Sequence, residues 1–192
     1  TPTVTPTATP IPPPRPPAPP TPTPTPKPLQ TYRNQIVFFS DNPERPGLWV
    51  MDASGNNRQY LGASGALRKQ YDALVVQAQF SPDGRFRAFV KDWNPAPQVF
   101  ISDSQYSDLP PTQLTTLSRV SYDPVWSPDG SRIAFVSQEA GSDDIWIILA
   151  NGTQARRLTE NTWEWDKHPS WSPDSTRIVF WSNRSGTKQI YV

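Results

Sequence analysis

Few side chains in this sequence have the types and the spacing that chemistry requires. The carboxylates form two short pairs, Asp143-Asp144 and Glu164 with Asp166, which could serve general acid–base catalysis or bind calcium. Both pairs lie in predicted loops, where charge is ordinarily solvated, so we interpret them as surface charge. The single histidine, His168, offers neither a base for a nucleophile nor a set of metal ligands. We expect a structural residue at the start of an inner strand, with partner contact as the alternative.

The sequence also lacks the motif of a serine nucleophile and the cysteines that thiol chemistry needs. The hydrolase motif Gly-x-Ser-x-Gly does not occur, because Ser64 in Gly62-Ala63-Ser64-Gly65 is one residue out of register. The absence of cysteine excludes disulfide scaffolds, Cys-ligated zinc, iron–sulfur clusters and cysteine catalysis. We therefore predict that the chain is not an enzyme and that it uses no cofactor and no metal.

Charge and hydropathy exclude two further classes of partner. The formal net charge is +1 for 192 residues, so the chain lacks the excess of Lys and Arg that nucleic-acid binding needs. The longest apolar run, Ile145 to Ala150, has six residues. A membrane-spanning helix needs about 20. The sequence predicts no nucleic acid partner and no membrane span.

The first 30 residues differ in composition from the rest. Residues 1–28 hold 14 of the 25 prolines and eight threonines, which removes backbone donors and favours an extended, disordered chain. We predict a disordered Thr/Pro-rich linker over 1–30, either a stalk or a plain spacer, and a folded region over 31–192. The chain starts with Thr1 and shows no signal peptide, which indicates an excised or processed end.

The folded region is repetitive. Four apolar strands begin 51, 46 and 45 residues apart, and each is followed by an eight-residue connection and a second strand. The first strands are Gln35–Ser40, Phe86–Lys91, Arg132–Ser137 and Arg177–Ser182. A period of about 45 residues with several short strands per unit is typical of a propeller. The units are about 31–72, 73–118, 119–163 and 164–192.

A Ser-Pro-Asp turn precedes three of these four strands. Proline at the second position of a type I turn has its φ already set, Asp can bond nearby amides, and glycine accepts a positive φ at the fourth position. We therefore interpret the Asp residues as structural and expect strain where Ser175 replaces glycine. The turn residues are Pro82, Asp83, Gly84, Pro128, Asp129, Gly130, Pro173 and Asp174.

The strand composition predicts stacked sheets. Arg132–Ser137 and Ile145–Leu149 are apolar on both faces, so each sheet must be covered on both sides. An Asn-Gly turn signal at 151–152 adds a further strand, which makes each unit four antiparallel strands, as in a β-propeller blade. The class is all-β. We count three strands in the first unit, four in each of the next two and three in the last.

The repeats resemble the TolB-type propeller built from WD40-like, or PD40, repeats. The resemblance rests on Asp123–Gly130, Arg132–Ser137, Asp144–Trp146, Gly152–Thr159 and His168–Asp174. It implies a six-bladed ring, of which this chain would be a fragment with about three and a half blades. The alternative is a small four-bladed ring. Pectin-degrading lyases with a similar propeller hold a metal with several histidines, which one His cannot supply.

Exposed aromatic side chains are the candidates for partner contact. Trp163 and Trp165 lie in the loop between the last two units and are either contact anchors or packed beneath that loop. Trp93 and His168 are weaker candidates, as is the extra loop Ala63 to Asp72. The first hypothesis is a protein- or peptide-binding propeller of the cell envelope or an extracellular setting, as the resemblance implies. The alternatives are the propeller of a prolyl-oligopeptidase-like peptidase and the sensor domain of a membrane Ser/Thr kinase.

Overall fold

The computed structural model describes residues 27–160 and 162–192; most of the predicted linker, residues 1–26, lies outside this part. Its regular elements are β1 (Ile36–Ser40), β2 (Gly47–Met51), β3 (Gln59–Gly62), α1 (Gly65–Gln77), β4 (Phe86–Lys91), β5 (Gln98–Asp103), β6 (Thr112–Gln113), β7 (Ser121–Trp126), β8 (Arg132–Ser137), β9 (Asp144–Leu149), β10 (Arg156–Arg157), β11 (Asp166–Trp171), β12 (Ile178–Ser182) and β13 (Gln189–Tyr191). Two short 3₁₀ turns occur at Leu29–Thr31 and Ser104–Tyr106.

The strands form four separate antiparallel sheets in chain order. Sheet 1 is β1-β2-β3, sheet 2 is β4-β5-β6, sheet 3 is β7 to β10, and sheet 4 is β11-β12-β13. Neighbouring strands are consecutive in sequence, which is the up-and-down order of propeller blades. This confirms the all-β class and the repeat architecture. The four-strand prediction is confirmed for sheet 3.

The second sheet departs from the prediction of four strands. A helix, α1, occupies residues 65–77, which the sequence assigned to an extra loop and to the start of the second unit. The Ser64 hydroxyl caps it by accepting a hydrogen bond from the Leu67 amide at 3.3 Å. Of the expected innermost strand, only Phe80 makes a β-bridge, to Arg87. Sheet 2 therefore has three strands, because the helix takes the residues that would have made the fourth.

Apolar cores join sheets 2, 3 and 4. Between sheets 2 and 3, Trp126 packs with Phe135 and with residues of the facing sheet. The facing residues are Ala88, Val99 and Leu114. Between sheets 3 and 4, Ala134 and Val136 belong to two further clusters, which also include Ile178. Since sheet 3 is covered on both sides, its strands are apolar on both faces, as the sequence predicted.

Sheet 1 has its own small core. Leu48 of β2 packs with Leu67 of α1 and with Leu29, which is only 3% exposed. Leu29 and Gln30 lie in the 3₁₀ turn, although the sequence assigned both to the linker. The folded part thus includes these two residues, because burial of the Leu29 side chain fixes them against sheet 1.

The Ser-Pro-Asp turns form as predicted, and one of them also connects two sheets. The Gly84 amide donates to the Ser81 carbonyl at 2.8 Å, and the other two turns repeat this bond. Ser175 adopts a φ of +59°, a region that favours glycine. Its hydroxyl accepts a hydrogen bond from the Asp129 amide at 3.0 Å, and its carbonyl accepts one from Arg132 at 2.7 Å. The strained serine therefore bonds sheet 4 to sheet 3.

Candidate functional site

The antiparallel order places two different sets of loops at the two ends of the sheets. We call one the connector end: it carries the connections between consecutive sheets and the β1–β2, β4–β5, β8–β9 and β12–β13 turns. The other, the turn end, carries the Ser-Pro-Asp turns. The Trp165 amide donates to Asn183 Oδ1 at 2.7 Å, and Lys188 Nζ lies 4.0 Å from the Asp41 carboxylate. The first contact joins the connection between sheets 3 and 4 to the β12–β13 turn, and the second brings that turn near the β1–β2 turn of sheet 1.

Trp163 and Trp165 lie at the connector end, in the connection between sheets 3 and 4. Trp163 is 84% exposed and Trp165 is 50% exposed. Trp165 is held at its backbone by Asn183, and the Lys167 ammonium lies 5.2 Å from the centre of its ring. The pair therefore offers a large aromatic surface to solvent beside a positive charge.

Trp93 is at the same end, in the turn between β4 and β5. Its side chain is 48% exposed, and its ring meets the buried Phe100 ring edge-on at 5.4 Å. The Lys91 ammonium lies 5.8 Å from the centre of the Trp93 ring. Trp93 thus resembles Trp165 in having an exposed aromatic face and a neighbouring lysine.

His168 lies near the start of strand β11, where the sequence predicted a structural residue; the alternative grouped it with loop residues that contact a partner. It is the third residue of β11, at a bulge in the pairing with β12, and its φ is +54°. The imidazole Nδ1 lies 2.7 Å from the Asp123 Oδ2. Asp123 occupies the equivalent bulge of β7 and has a φ of +57°. The two bulges therefore bring an acid and a base together across sheets 3 and 4.

Asp123 is a site residue that the sequence reasoning missed. The signal was present, since Asp123-Pro124 and His168-Pro169 occupy the same position of successive repeats. Proline disfavours the right-handed helical region for the residue before it. Because Asp123 and His168 occupy equivalent backbone positions in neighbouring sheets, their side chains lie within reach of each other.

A cleft of about 510 Å³ extends from this pair towards sheet 2. It lies along β4 and β7, the first strands of sheets 2 and 3. Its lining mixes apolar, aromatic and charged side chains and consists of Gln79, Arg87, Phe89, Val90, Tyr122, Asp123, Pro124 and His168.

Three of the four acidic candidates are buried, contrary to their interpretation as solvated charge. Asp144 pairs with Arg157 at 2.8 Å, and Asp166 pairs with Arg184 at 2.8 Å. Asp143 pairs with Lys167 at 2.9 Å. Burial opposes ionisation of Asp143, but hydrogen bonds from Lys167 and Gln138 outweigh it and hold the pKa of that carboxyl below its usual range. These carboxylates stabilise the sheets, and the Asp143–Lys167 pair links sheet 3 to sheet 4.

The described residues contain neither a cluster of metal-binding side chains nor a membrane-spanning helix. Within 27–160 and 162–192, no group of three or more His, Asp or Glu side chains is placed to hold a metal ion. In the same ranges, no helix has both the length and the apolar character needed to cross a bilayer.

Comparison with known proteins relates this chain to TolB propellers and to a protein named as a peptidase. The family model for PD40, the TolB beta propeller domain, matches residues 29–192. The Tol-Pal system protein TolB of Anaeromyxobacter dehalogenans (strain 2CP-C) is 36% identical over 121 residues, which are 60% of this chain and 25% of that protein. The uncharacterized peptidase YuxL of Bacillus subtilis (strain 168) is 32% identical over 93 residues, 45% of this chain and 14% of that protein.

Among solved structures, TolB from Acinetobacter baumannii has the same fold. The TM-score is 0.50 at 22% sequence identity, and the match covers 82% of this chain and 37% of that one. The chain therefore spans about a quarter of the curated TolB sequence and somewhat over a third of the TolB structure.

Proposed function

The chain belongs to the PD40 family of TolB β-propeller domains, and we propose that it is a non-catalytic module that binds a protein or peptide through its connector end. The relation to a Tol-Pal system protein supports a place in the cell envelope or outside the cell. A Thr/Pro-rich stalk at residues 1–28 would suit a domain held away from its anchor.

The observation that carries the proposal is the exposure of three tryptophans at one end of the sheets. Trp163 is 84% exposed, and Trp93 and Trp165 are each about half exposed. Tryptophan is enriched in binding hot spots because its large rigid ring gives contact area at a low cost in conformational entropy. A lysine ammonium lies beside two of the rings: Lys91 beside Trp93, and Lys167, which is paired with Asp143, beside Trp165.

The turn end supplies a matched control. Tyr106 is 56% exposed and Leu109 is 64% exposed, and both lie in the connection between β5 and β6. They are at least as exposed as Trp93 and Trp165 but lie at the opposite end of the sheets. Replacing them removes exposed apolar surface without changing the connector end.

The experiment compares two double variants in capture from an envelope extract of the source organism. Trp163→Ala with Trp165→Ala should reduce the amount of a specifically captured protein at least tenfold. Tyr106→Ala with Leu109→Ala should leave it unchanged. Equal capture by both variants, or loss in the control alone, would refute binding through the connector end.

A second function is favoured by the match to YuxL, which is named a peptidase. In that case the chain would be the propeller of a larger serine hydrolase, with the reactive serine outside these 192 residues. The native full-length protein should then react with a fluorophosphonate probe. Labelling would replace the non-catalytic proposal, and no labelling would remove the alternative.

A further inference from the structure

The first strand of sheet 2, β4, has a free backbone edge next to the cleft at Val90, its fifth residue. In an antiparallel pair, alternate residues direct their amide and carbonyl groups to opposite sides. The Ala88 amide donates to the Gln79 carbonyl, and the Phe86 carbonyl accepts from Ser81, both at 2.8 Å. Residues 86 and 88 thus face the inner side, and Val90 follows in the same register. Within the described ranges, no hydrogen bond reaches the Val90 backbone from that side.

The same position is occupied in the two following sheets. Val136, the fifth residue of β8, is paired with Tyr122 of β7. Trp181, at the equivalent place in sheet 4, is paired with Lys167 of β11. In sheet 2 the chain that would pair with Val90 is folded into α1 instead. A strand position that sheets 3 and 4 fill is therefore open in sheet 2, and the cleft of about 510 Å³ lies there.

The charges along this edge favour an acidic occupant. Arg87, Phe89 and Lys91 share one face of β4, since side chains alternate along a strand. Arg87 donates to Gln79 Oε1 at 3.3 Å. In the described parts of the chain, no carboxylate lies within ion-pair distance of Arg87 or Lys91. Asp123, the acid of the cleft lining, has its Oδ2 2.7 Å from the Nδ1 of His168 and not beside Arg87 or Lys91.

We infer that β4 accepts an extended segment of a partner protein as an additional strand, and that this segment carries an acidic side chain facing Arg87 and Lys91. Strand addition gives affinity through main-chain hydrogen bonds and selectivity through alternate side chains. The inference rests on the proposed function, because it names how the bound protein would be held. The open edge ends beside Trp93, at the connector end.

The test uses the 192-residue chain labelled with ¹⁵N and the synthetic peptide acetyl-TVEVT-amide. Two further peptides carry N-methyl groups on alternate sets of amides. Because only one set can face β4, one methylated peptide should bind at least tenfold more weakly while the other binds as before. When the peptide is bound, the NMR resonance of the Val90 amide should shift. The hydrogen of this amide should also exchange with solvent at least tenfold more slowly.

Charge is tested with a peptide and with protein variants. The peptide acetyl-TVKVT-amide should bind the original chain about tenfold more weakly than acetyl-TVEVT-amide does. The double variant Arg87→Ala, Lys91→Ala should bind acetyl-TVEVT-amide about tenfold more weakly than the original chain does. Arg58→Ala, an exposed arginine in the β2–β3 connection, should have no effect. Equal binding of both methylated peptides, or no shift at Val90 with millimolar peptide, would overturn the inference.

The outcomes separate this inference from the proposed function. The Trp163→Ala, Trp165→Ala variant should still bind the peptide at β4 even though it loses protein capture. If capture depends on the tryptophans but the peptide does not bind, only the strand addition is refuted. If the peptide binds at Val90 but capture does not depend on the connector end, only the proposed surface is refuted.

Discussion

Trp126 and Trp163 show how the same residue type serves two different purposes here. Trp126 is 7% exposed, and its ring stacks on Phe86 across sheets 2 and 3 at 6.4 Å. Trp163 is 84% exposed at the connector end. The sequence context indicated a core position for Trp126, which directly precedes a Ser-Pro-Asp turn on an alternating strand, but left Trp163, which lies between repeats, open between exposure and packing. The burial of a single residue was thus predictable where the repeat pattern assigned that residue to a strand.

The two tryptophans should differ sharply in their effect on stability. Replacing Trp126 with Ala leaves a large cavity in the core, so the free energy of unfolding should fall by about 3–5 kcal/mol. Trp163→Ala removes a solvated side chain and should change it by less than about 0.5 kcal/mol. Denaturant unfolding followed by circular dichroism measures both. A loss of several kcal/mol in Trp163→Ala would mean that this ring is packed and not presented.

Other residue-level features could not be read from the sequence. The buried pairs of Asp144 with Arg157 and Asp166 with Arg184 join side chains 13 and 18 positions apart, which no local pattern reveals. The approach of Asp123 to His168 depends on two backbone bulges in different sheets. Strand alternation predicts which face a residue occupies, but not where a bulge redirects it.

Among the elements, the Ser-Pro-Asp turns were predictable and helix α1 was not. Each turn is stabilised by the Ser, Pro and Asp residues within it, so the same tripeptide forms the same kind of turn in each repeat. The helix has signals as well: Ser64 can cap it, and Leu67, Tyr71 and Leu74 follow helical spacing. Alignment of the repeats hid these signals, because it assigned the same residues to an insertion and to a strand.

The turns should also set the acid sensitivity of the fold. Hydrogen bonds from the Ser127 hydroxyl to Asp129, and from Ser172 to Asp174, lower the pKa of each carboxyl to about 2. In the unfolded chain these carboxyls titrate near 3.8. A lowered pKa in the folded state stabilises the fold above the unfolded pKa, so this stabilisation should be lost as pH falls from about 4 to about 2.

The matched variant for this prediction replaces both carboxyls with amides. Asp129→Asn with Asp174→Asn keeps oxygen acceptors for the serine hydroxyls but cannot titrate. Thermal unfolding at pH 7, 4 and 2 should therefore show a smaller drop in Tm between pH 4 and 2 for the variant than for the original chain. Equal drops would place the acid sensitivity in other groups.

At the scale of the whole molecule, the four sheets are not equally joined. The three apolar clusters that connect sheets 2, 3 and 4 include no residue of sheet 1 among the described residues. Sheet 1 instead packs on α1 and on Leu29. The sequence predicted stacked sheets because strands apolar on both faces need cover on both sides. It did not predict this division, which depends on α1.

This division leads to a prediction about local unfolding. Leu67→Ala should remove part of the core between α1 and sheet 1, at a cost of about 2–5 kcal/mol to that unit. Units that share few buried contacts open with different free energies. Hydrogen exchange followed by mass spectrometry should therefore show faster exchange in residues 36–62, with the amides of β8 and β9 still protected.

Leu114→Ala is the matched control, because Leu114 is equally buried but lies in the core between sheets 2 and 3. This change should accelerate exchange in β5 and β8 and leave sheet 1 unaffected. If Leu67→Ala accelerated exchange in β8 and β9 as much as in sheet 1, all four sheets would open together. The blades would then behave as a single cooperative unit, and the separate core of sheet 1 would have no energetic consequence.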